Sequence, residues 1–342
     1  MVKPLTREQV IACVERRDNR VIPAVMCRWW GEGLYERHGA RLDALAAQYP
    51  DDVHQAWFVS PGGDTSPIAN PSYRWGFQDD YSSYQRHSIG GSIELLRDWD
   101  ELDLFLADFP SPDEPGIMDG VVESLKQAGG KYRLGCFWRL FHEKLWEIRG
   151  MEHLMLDYYD NIDGLRTIGE RLLAFHNRIV DRYAELGFDG IFTSDDLGHQ
   201  GGPMMSPAVF RELYLPLYKA FIGHAHEKGL HVWLHSCGDN TVLMDMLIEA
   251  GLDVFHPVQK HCMDEEATAR QYGGQIAFLY GIDVQNLLPN GTPDEIEREI
   301  AQMARIFRLR GGSVLFAAGN GIMGDTPIEN IEAMLRAAYA YR

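Results

Sequence analysis

The sequence predicts an α/β protein that folds as a (β/α)₈ TIM barrel with an inserted cap region between its second and third strands. Three observations lead to this fold class: eight short apolar runs, helical segments after most of them, and no glycine-rich phosphate loop after the first run. Alternating strands and helices build a parallel sheet. The missing loop disfavours the alternative, an open doubly wound sheet. We find no linker that divides the chain, so one domain is expected over residues 1–342.

The predicted strands are short apolar runs bounded by polar or glycine-rich segments. They cover residues 21–26, 53–60, 132–138, 189–196, 230–237, 253–259, 276–283 and 312–319. The helices between the later strands carry start and stop signals. Ser206 and Pro207 begin one helix and Gly229 ends it, while Thr-Pro pairs at 292–293 and 326–327 begin two more. Eight strands alternating with helices are what a closed barrel requires.

The inserted region follows the second predicted strand. More than seventy residues separate this strand from the third, and they include "SPGGDTSPIANPSYRWGFQDDYSSYQRHSIGGS" at 60–92. A long stretch rich in Gly, Pro, Ser and aromatic residues is typical of a lid over a barrel mouth. A surface excursion or an oligomer contact is an equal alternative.

The composition excludes several classes of partner. The chain has 32 Lys and Arg against 50 Asp and Glu, a net charge of −18, whereas nucleic acids and anionic membranes require a basic surface. Five scattered cysteines are typical of a reducing compartment. The amino-terminal "MVKPLTREQV" lacks the apolar core of a secretory signal. We therefore expect a cytoplasmic protein with no nucleic-acid or membrane partner, and a homodimer is one option for its assembly.

The carboxyl end of the fifth predicted strand, "HVWLHSCGDN", offers a candidate metal site. Active sites of these barrels lie at the carboxyl ends of the strands, and alternate side chains of a strand point the same way. His235 and Cys237 therefore project together. Imidazole nitrogen and thiolate sulfur are ligands that zinc prefers, so we predict that both residues bind Zn²⁺. Ordinary core packing of a buried cysteine is the alternative.

Four sequence blocks resemble the uroporphyrinogen decarboxylase superfamily and are nearer to its corrinoid-dependent methyltransferase branch than to the haem-pathway decarboxylase. They are "RLFHEKLWEIRGMEHLMLDYYDN", "SDDLGHQGGPMMSPAVFRELYLPLYK", "HSCGDNTVLMDMLIEAGLDVFHPVQ" and "DTPIENIEAMLRAAYAY". The haem-pathway decarboxylase fits less well, because Arg28 stands alone in the first loop and Pro61 replaces an expected aspartate. The resemblance implies the same barrel fold and a zinc enzyme that moves a methyl group to or from a corrinoid carried by a partner protein.

The resemblance also implies a third zinc ligand, a distant cysteine after the last strand. Asn320 stands at this position, and a neutral amide oxygen is a poorer zinc ligand than a thiolate. The missing ligand is then a carboxylate or a further cysteine. The candidates are Glu143, Asp195, Asp196 and Cys136.

The remaining candidate residues have catalytic or substrate-binding roles. Asp195, Asp196 and Glu143 are predicted to complete the metal shell or to handle a proton, with helix capping as the alternative for the two aspartates. Five residues are predicted to bind the substrate: three aromatic side chains, one cation and one amide. They are Trp29, Trp30, Trp138, Arg28 and Asn320.

The predicted function is zinc-dependent methyl transfer between a corrinoid protein and a small methoxy-aromatic, methylamine or thiol compound. The alternatives are a lyase that decarboxylates a smaller carboxylate or a tetrapyrrole, and a barrel without catalysis that binds a corrinoid or tetrapyrrole.

Overall fold

A curled parallel sheet organises the computed structural model, which describes residues 3–25, 28–62, 68, 70–76 and 94–341. Seven strands pair in parallel in the order β1-β2-β3-β6-β7-β8-β9, and β4 and β5 form a separate short antiparallel pair. Each long strand lies within one of the apolar runs in the sequence, so the α/β barrel prediction is confirmed. The strands are β1 Val53–Trp57, β2 Tyr132–Cys136, β3 Gly190–Ser194, β4 Gly198–His199, β5 Gly202–Pro203, β6 His231–His235, β7 Val254–His256, β8 Ala277–Ile282 and β9 Ser313–Ala318.

The first predicted strand, 21–26, contributes an isolated bridge rather than a full strand. Ala24 pairs in parallel with Phe316 of β9, and the backbone amide of Asp52 donates to the carbonyl oxygen of Ala24 at 3.0 Å. Pro23 has no N–H to donate, which shortens the ladder; residues 26 and 27 lie outside the described residues. This segment thus connects β9 with the start of β1, at the seam of the barrel.

Helices surround the sheet. The Thr292 capping box and the Ser206 cap are confirmed: the hydroxyl of Ser206 accepts from the amide of Val209 at 3.2 Å. The helix predicted from Thr326 begins instead at Ile328, because Pro327 has an extended backbone and is itself the cap residue. The helices are α1 Arg7–Val14, α2 Leu34–His38, α3 Ala40–Gln48, α4 Leu102–Ala107, α5 Asp119–Ser124, α6 His142–Arg149, α7 Met151–Asp160, α8 Ile162–Glu185, α9 Pro207–Val209, α10 Leu215–Glu227, α11 Met244–Glu249, α12 Glu265–Tyr272, α13 Leu287–Asn290, α14 Pro293–Phe307 and α15 Ile328–Tyr339.

Helix α1 closes the amino-terminal end of the barrel. Its Val10, Cys13 and Val14 are buried in one cluster with interior residues of the strands, among them Tyr132 and Trp233. The barrel is therefore a packed core with one covered end, and the carboxyl ends of the strands form the mouth available for chemistry.

The predicted cap between the second and third predicted strands, at 60–92, falls largely outside the described residues. The segment that begins at residue 94 is anchored to the helices by Arg149 of α6. This side chain donates to the carbonyl oxygen of Arg97 at 2.9 Å and binds the carboxylate of Asp157 at 2.6 Å. Trp99 donates to the same carboxylate at 2.9 Å. Among the helices in the described ranges, none is long and apolar enough to cross a membrane.

Candidate functional site

Three potential metal ligands meet at the mouth of the barrel. The Nε2 atom of His235 lies 3.4 Å from the Sγ atom of Cys237 and 3.6 Å from the Oδ1 atom of Asp196. The ligand atoms of all three residues lie within 4.8 Å of one another. A tetrahedral zinc ion with ordinary bond lengths separates N from S by about 3.5 Å and N from O by about 3.4 Å. The two spacings measured from His235 therefore fit a tetrahedral zinc shell.

A chain of hydrogen bonds fixes the tautomer of His235. The Nε2 atom of His256 lies 3.1 Å from the carbonyl oxygen of Ala318, which only accepts, so this nitrogen carries the proton. Burial lowers the pKa of both histidines, which keeps them neutral. The bare Nδ1 atom of His256 then accepts from the Nδ1–H of His235 at 2.7 Å. The Nε2 lone pair of His235 is left facing Cys237 and Asp196, as a metal ligand requires.

The loop after β6 is held rigid by its own residues. The side-chain amide of Asn240 donates to the carbonyl oxygens of Ser236 and Cys237 at 3.1 and 3.0 Å. Gly238 has φ of +84°, and a Cβ atom there would lie 2.3 Å from the carbonyl carbon of Gly198. Only glycine fits this turn. The residues that follow the His-x-Cys pair in the sequence thus hold Cys237 in place.

The two adjacent aspartates have different environments. Asp195 is fully buried, and its carboxylate accepts from the backbone amides of Phe141, His142 and Glu143 at 3.2, 3.0 and 2.8 Å and from the hydroxyl of Tyr218 at 2.7 Å. This arrangement anchors the start of α6. The geometry of Asp195 is therefore that of a helix cap, the alternative role given for it above. A catalytic role for Asp195 stays a prediction.

Asp196, in contrast, faces the metal site. Its Oδ1 atom accepts from the backbone amide of Cys237 at 2.8 Å. Among the four candidates for a third ligand, the structure brings this residue to His235 and Cys237. Cys136 is instead buried in the barrel interior.

Glu143 is a partly buried acid beside the three potential metal ligands. Its carboxylate accepts a hydrogen bond from the hydroxyl of Ser194. Burial, with the negative charges of Asp196 and Asp195, raises its pKa to about 8. The predicted proton-handling role of Glu143 stays a prediction.

Cys237 also has a raised pKa. Burial and the charge of Asp196 raise the pKa of its thiol to about 12, so a cation is needed for this sulfur to ionise at neutral pH. The side-chain amide of Asn320 donates to the Sγ atom at 3.6 Å. The residue at the expected third-ligand position thus does lie beside the site.

Aromatic side chains wall the site. The rings of Trp29 and Trp138 lie 5.7 and 5.8 Å from the ring of His235, centroid to centroid. Trp30 and Arg28 line a neighbouring cavity together with these two tryptophans. Arg28 donates to the carboxylate of Asp51 at 2.8 Å. Substrate contacts for these four residues stay predictions.

His256 is the residue to which the sequence analysis assigned no role. The signal was present in the strand ends, since two neighbouring predicted strands each carry a histidine near the carboxyl end. Only the register of the sheet, which places His235 opposite His256, shows that the two rings meet.

The comparisons with known proteins agree with this architecture. The model of the uroporphyrinogen decarboxylase (URO-D) family matches residues 147–341, more than half of the chain. The chain belongs to this family. A methyltransferase from Methanosarcina mazei has the same fold as this URO-D family protein, with a TM-score of 0.65 and 15% identity over 99% of both chains.

Two curated relatives of this URO-D family protein are methyltransferases. The methylated-thiol–coenzyme M methyltransferase of Methanosarcina mazei is 28% identical over 138 residues, which cover 39% of this chain and 34% of that protein. The methylcobamide:CoM methyltransferase MtaA of Methanosarcina barkeri is 28% identical over 173 residues, which cover 50% of this chain and 46% of that protein. The matches thus span less than half of each relative's length.

Proposed function

We propose that the chain is a zinc-dependent methyltransferase that moves a methyl group between a small methylated compound and a corrinoid protein. The observation that carries this proposal is the group of Asp196, His235 and Cys237, in which the distances from the His235 nitrogen to the other two donor atoms are those of a tetrahedral zinc shell. The names of the methyltransferase relatives support the reaction class.

The donor set fits zinc in chemistry as well as in spacing. His235 would supply a neutral nitrogen, Cys237 a thiolate and Asp196 a carboxylate oxygen, which leaves a fourth position for substrate. Zinc bound there would act as a Lewis acid on the heteroatom that carries the methyl group. Asn320 offers only a neutral amide where the resemblance implies a second cysteine, so the third ligand would be the carboxylate of Asp196. This donor set is harder than one made of sulfur and nitrogen atoms alone.

The chain's own residues orient and isolate the reaction. His256 holds the imidazole of His235 in the ligand tautomer. Trp29 and Trp138 flank the imidazole of His235 and would limit the access of water from that side. We assign to Glu143 the role of holding a proton near the reacting heteroatom. Its carboxyl group is hydrogen-bonded to Ser194 at the end of β3, the strand that precedes Asp196.

Metal analysis is the first test. The protein is purified without chelators or metal-affinity resin, and its zinc content is compared with that of His235→Ala, Cys237→Ala and Asp196→Ala. We expect about one zinc per chain in the wild type and loss in all three variants. Cys262→Ala is the matched control, because Cys262 is a free, partly exposed cysteine outside the three-residue group. Absence of zinc from the wild type, even after zinc is added, would refute the zinc mechanism.

Methyl transfer is then followed through the absorbance change of cob(I)alamin when it becomes methylcobalamin. The donors are methanethiol, a methylamine and a methoxybenzene derivative, one class per reaction. We expect turnover with one class in the zinc-loaded wild type and none in Cys237→Ala. Loaded protein that methylates cobalamin from none of these classes would refute the methyltransferase proposal.

One further comparison favours a lyase as second candidate. The uroporphyrinogen decarboxylase of Methylobacillus flagellatus is 32% identical over 116 residues, which cover 33% of this chain and 28% of that protein. Release of carbon dioxide from a small acid by metal-free protein would favour this alternative over methyl transfer.

A further inference from the structure

A second cavity lies beside the metal site and under the segment that follows β1. Its lining includes Trp57, Phe58, Trp75, Trp138, Lys144 and His176. Trp57 and Trp138 also line the cavity next to Trp29. Because the ring of Trp138 lies 5.8 Å from that of His235, this second cavity is one aromatic side chain away from the metal ligands.

A buried cation forms part of its wall. The side chain of Lys144 is 4% exposed and pairs with Glu147 one turn along α6. Glu147 also binds Arg139, so the lysine shares its carboxylate with a second cation. The ammonium nitrogen lies 4.5 Å from the centroid of the Trp75 ring. An ammonium group has three N–H donors, and a buried cation gains most from a further anionic acceptor.

A buried histidine lies in the same wall without a polar partner. His176 is 2% exposed, and its Nδ1 atom has no hydrogen-bond partner in the part of the chain that the structure describes. Its ring stacks on Phe137 at 5.0 Å with 9° between the planes. Because this nitrogen is also closed to solvent, a ligand in the cavity cannot bind to it, and His176 contributes ring packing to the wall.

Unusual backbone geometry accompanies these side chains. Arg139, which lines the cavity, has φ of +70°, a conformation that costs a non-glycine residue free energy and concentrates at functional sites. Its amide donates to the hydroxyl of Ser194 at 3.0 Å, at the end of the strand that precedes Asp196. The cavity wall and the metal site are thus built on the same strand end.

We propose that this cavity binds an aromatic carboxylate, with the carboxylate held by Lys144 and the ring placed against Trp57 and Trp138. The aromatic walls suit a planar ring, and the buried cation suits its anionic end. If the proposed function holds, on which this further step rests, the methyl donor is a methoxylated aromatic acid.

In that reaction the bond between the aryl oxygen and the methyl carbon breaks, and both electrons stay on the oxygen. The oxygen takes up one proton and leaves as a phenol. The methyl carbon bonds to the reduced cobalt of the corrinoid partner.

Calorimetric titration with 4-methoxybenzoate tests the site in the wild-type protein, with and without zinc. The comparison ligands are 4-methoxybenzamide, which lacks the charge, and 4-methoxycyclohexanecarboxylate, which lacks the aromatic ring. We expect the benzoate to bind and each comparison ligand to bind roughly tenfold or more weakly, since hydrogen bonds to charged groups are the strong ones. Equal affinity for the benzoate and the benzamide, or no binding of the benzoate, would overturn the proposal.

Variants identify the residues involved. Lys144→Met is expected to weaken benzoate binding by about tenfold or more and to leave benzamide binding nearly unchanged. Lys126→Met is the matched control, because Lys126 also pairs with a glutamate three residues away but is 70% exposed. His176→Phe keeps the ring stack and removes the polar atoms, so we expect it to leave benzoate binding nearly unchanged. Unchanged benzoate affinity in the folded Lys144→Met variant would overturn the proposal, and if that variant does not fold, the comparison of benzoate with benzamide in the wild type still tests it.

The outcomes separate this site from the proposed function. Benzoate binding without methyl transfer to cobalamin would leave the carboxylate site standing and refute the methyltransferase. Methyl transfer from another donor class without benzoate binding would support the methyltransferase and refute the carboxylate site.

Discussion

Replacement of His256 tests whether a residue that touches no metal controls the metal site. His256 is fully buried and is the acceptor for the Nδ1–H of His235. His256→Leu removes this acceptor while the ligand His235 itself remains. The Nδ1–H of His235 is then buried without a partner, and the proton is free to move to Nε2, the atom that faces Cys237 and Asp196.

The expected loss follows from this geometry. A buried donor without a partner costs about 1–3 kcal/mol, and loss of the partner of a metal-bound histidine typically weakens metal binding by about 10- to 100-fold. We therefore expect zinc affinity to fall by roughly this factor, measured by competition with a chromophoric chelator at fixed pH. Urea unfolding of metal-free protein measures the separate loss of stability.

His256→Asn is the conservative variant for this prediction. Its side-chain oxygen can occupy the position of the missing Nδ1 atom and accept from His235, so we expect it to recover most of the zinc affinity that His256→Leu loses. If both variants bind zinc as tightly as the wild type, the argument about the tautomer is wrong. If both lose affinity equally and in proportion to their loss of stability, His256 has only a packing role.

Three further predictions address other residues. Asp195→Ala leaves three backbone amides at the start of α6 without their acceptor, so the free energy of unfolding should fall by about 2–4 kcal/mol, whereas Asp196→Ala should mainly lose zinc; equal stability of the two variants in urea would contradict this. Asn320→Cys places a thiol beside the Sγ atom of Cys237 and should tighten zinc binding in the chelator competition; unchanged affinity would mean that position 320 lies outside the metal shell. Burial, helped by the charge of Lys144, lowers the pKa of His176 to about 3, below its unfolded value of about 6.5. The contribution of the neutral imidazole to folding stability is therefore fully present above pH 6.5, and about 2 kcal/mol of it is lost by pH 5. His176→Phe should lose less stability than the wild type between pH 7 and pH 5, and an identical loss would mean that the histidine is exposed to water.

The strands were predictable because each is a short apolar run with polar ends, and burial on both faces leaves little else for such a run to do. The run at 21–26 shows the limit of this argument. Its composition is that of a strand, but Pro23 removes a donor, and the observed pairing is a single bridge between Ala24 and Phe316. The later helices were located by their caps, which act locally and can therefore be read from neighbouring residues.

The candidate metal site was predictable only where its residues are close in sequence. His235 and Cys237 lie two residues apart at the end of one strand, so strand geometry alone brings them together. The third potential ligand comes from another strand end, and the sequence could not separate Asp196 from Asp195. The separation depends on backbone direction: successive residues after β3 face opposite sides, and Asp195 faces the amides of α6 while Asp196 faces Cys237.

The electrostatics of the barrel mouth favour a bound cation, because the groups there destabilise one another's ionised forms when no cation is present. Glu143 and Cys237 both have a pKa raised by burial and by the charge of Asp196, so the acids and the thiol disfavour one another's ionised forms. The imidazole of His235 is kept neutral by burial and offers no compensating charge. A divalent ion among these groups would remove the repulsion and ionise the thiol at once. The same negative surroundings would repel a free carboxylate from the metal, which is why the aromatic acid we propose has its anionic end at Lys144 and presents only its neutral ether to the metal ligands.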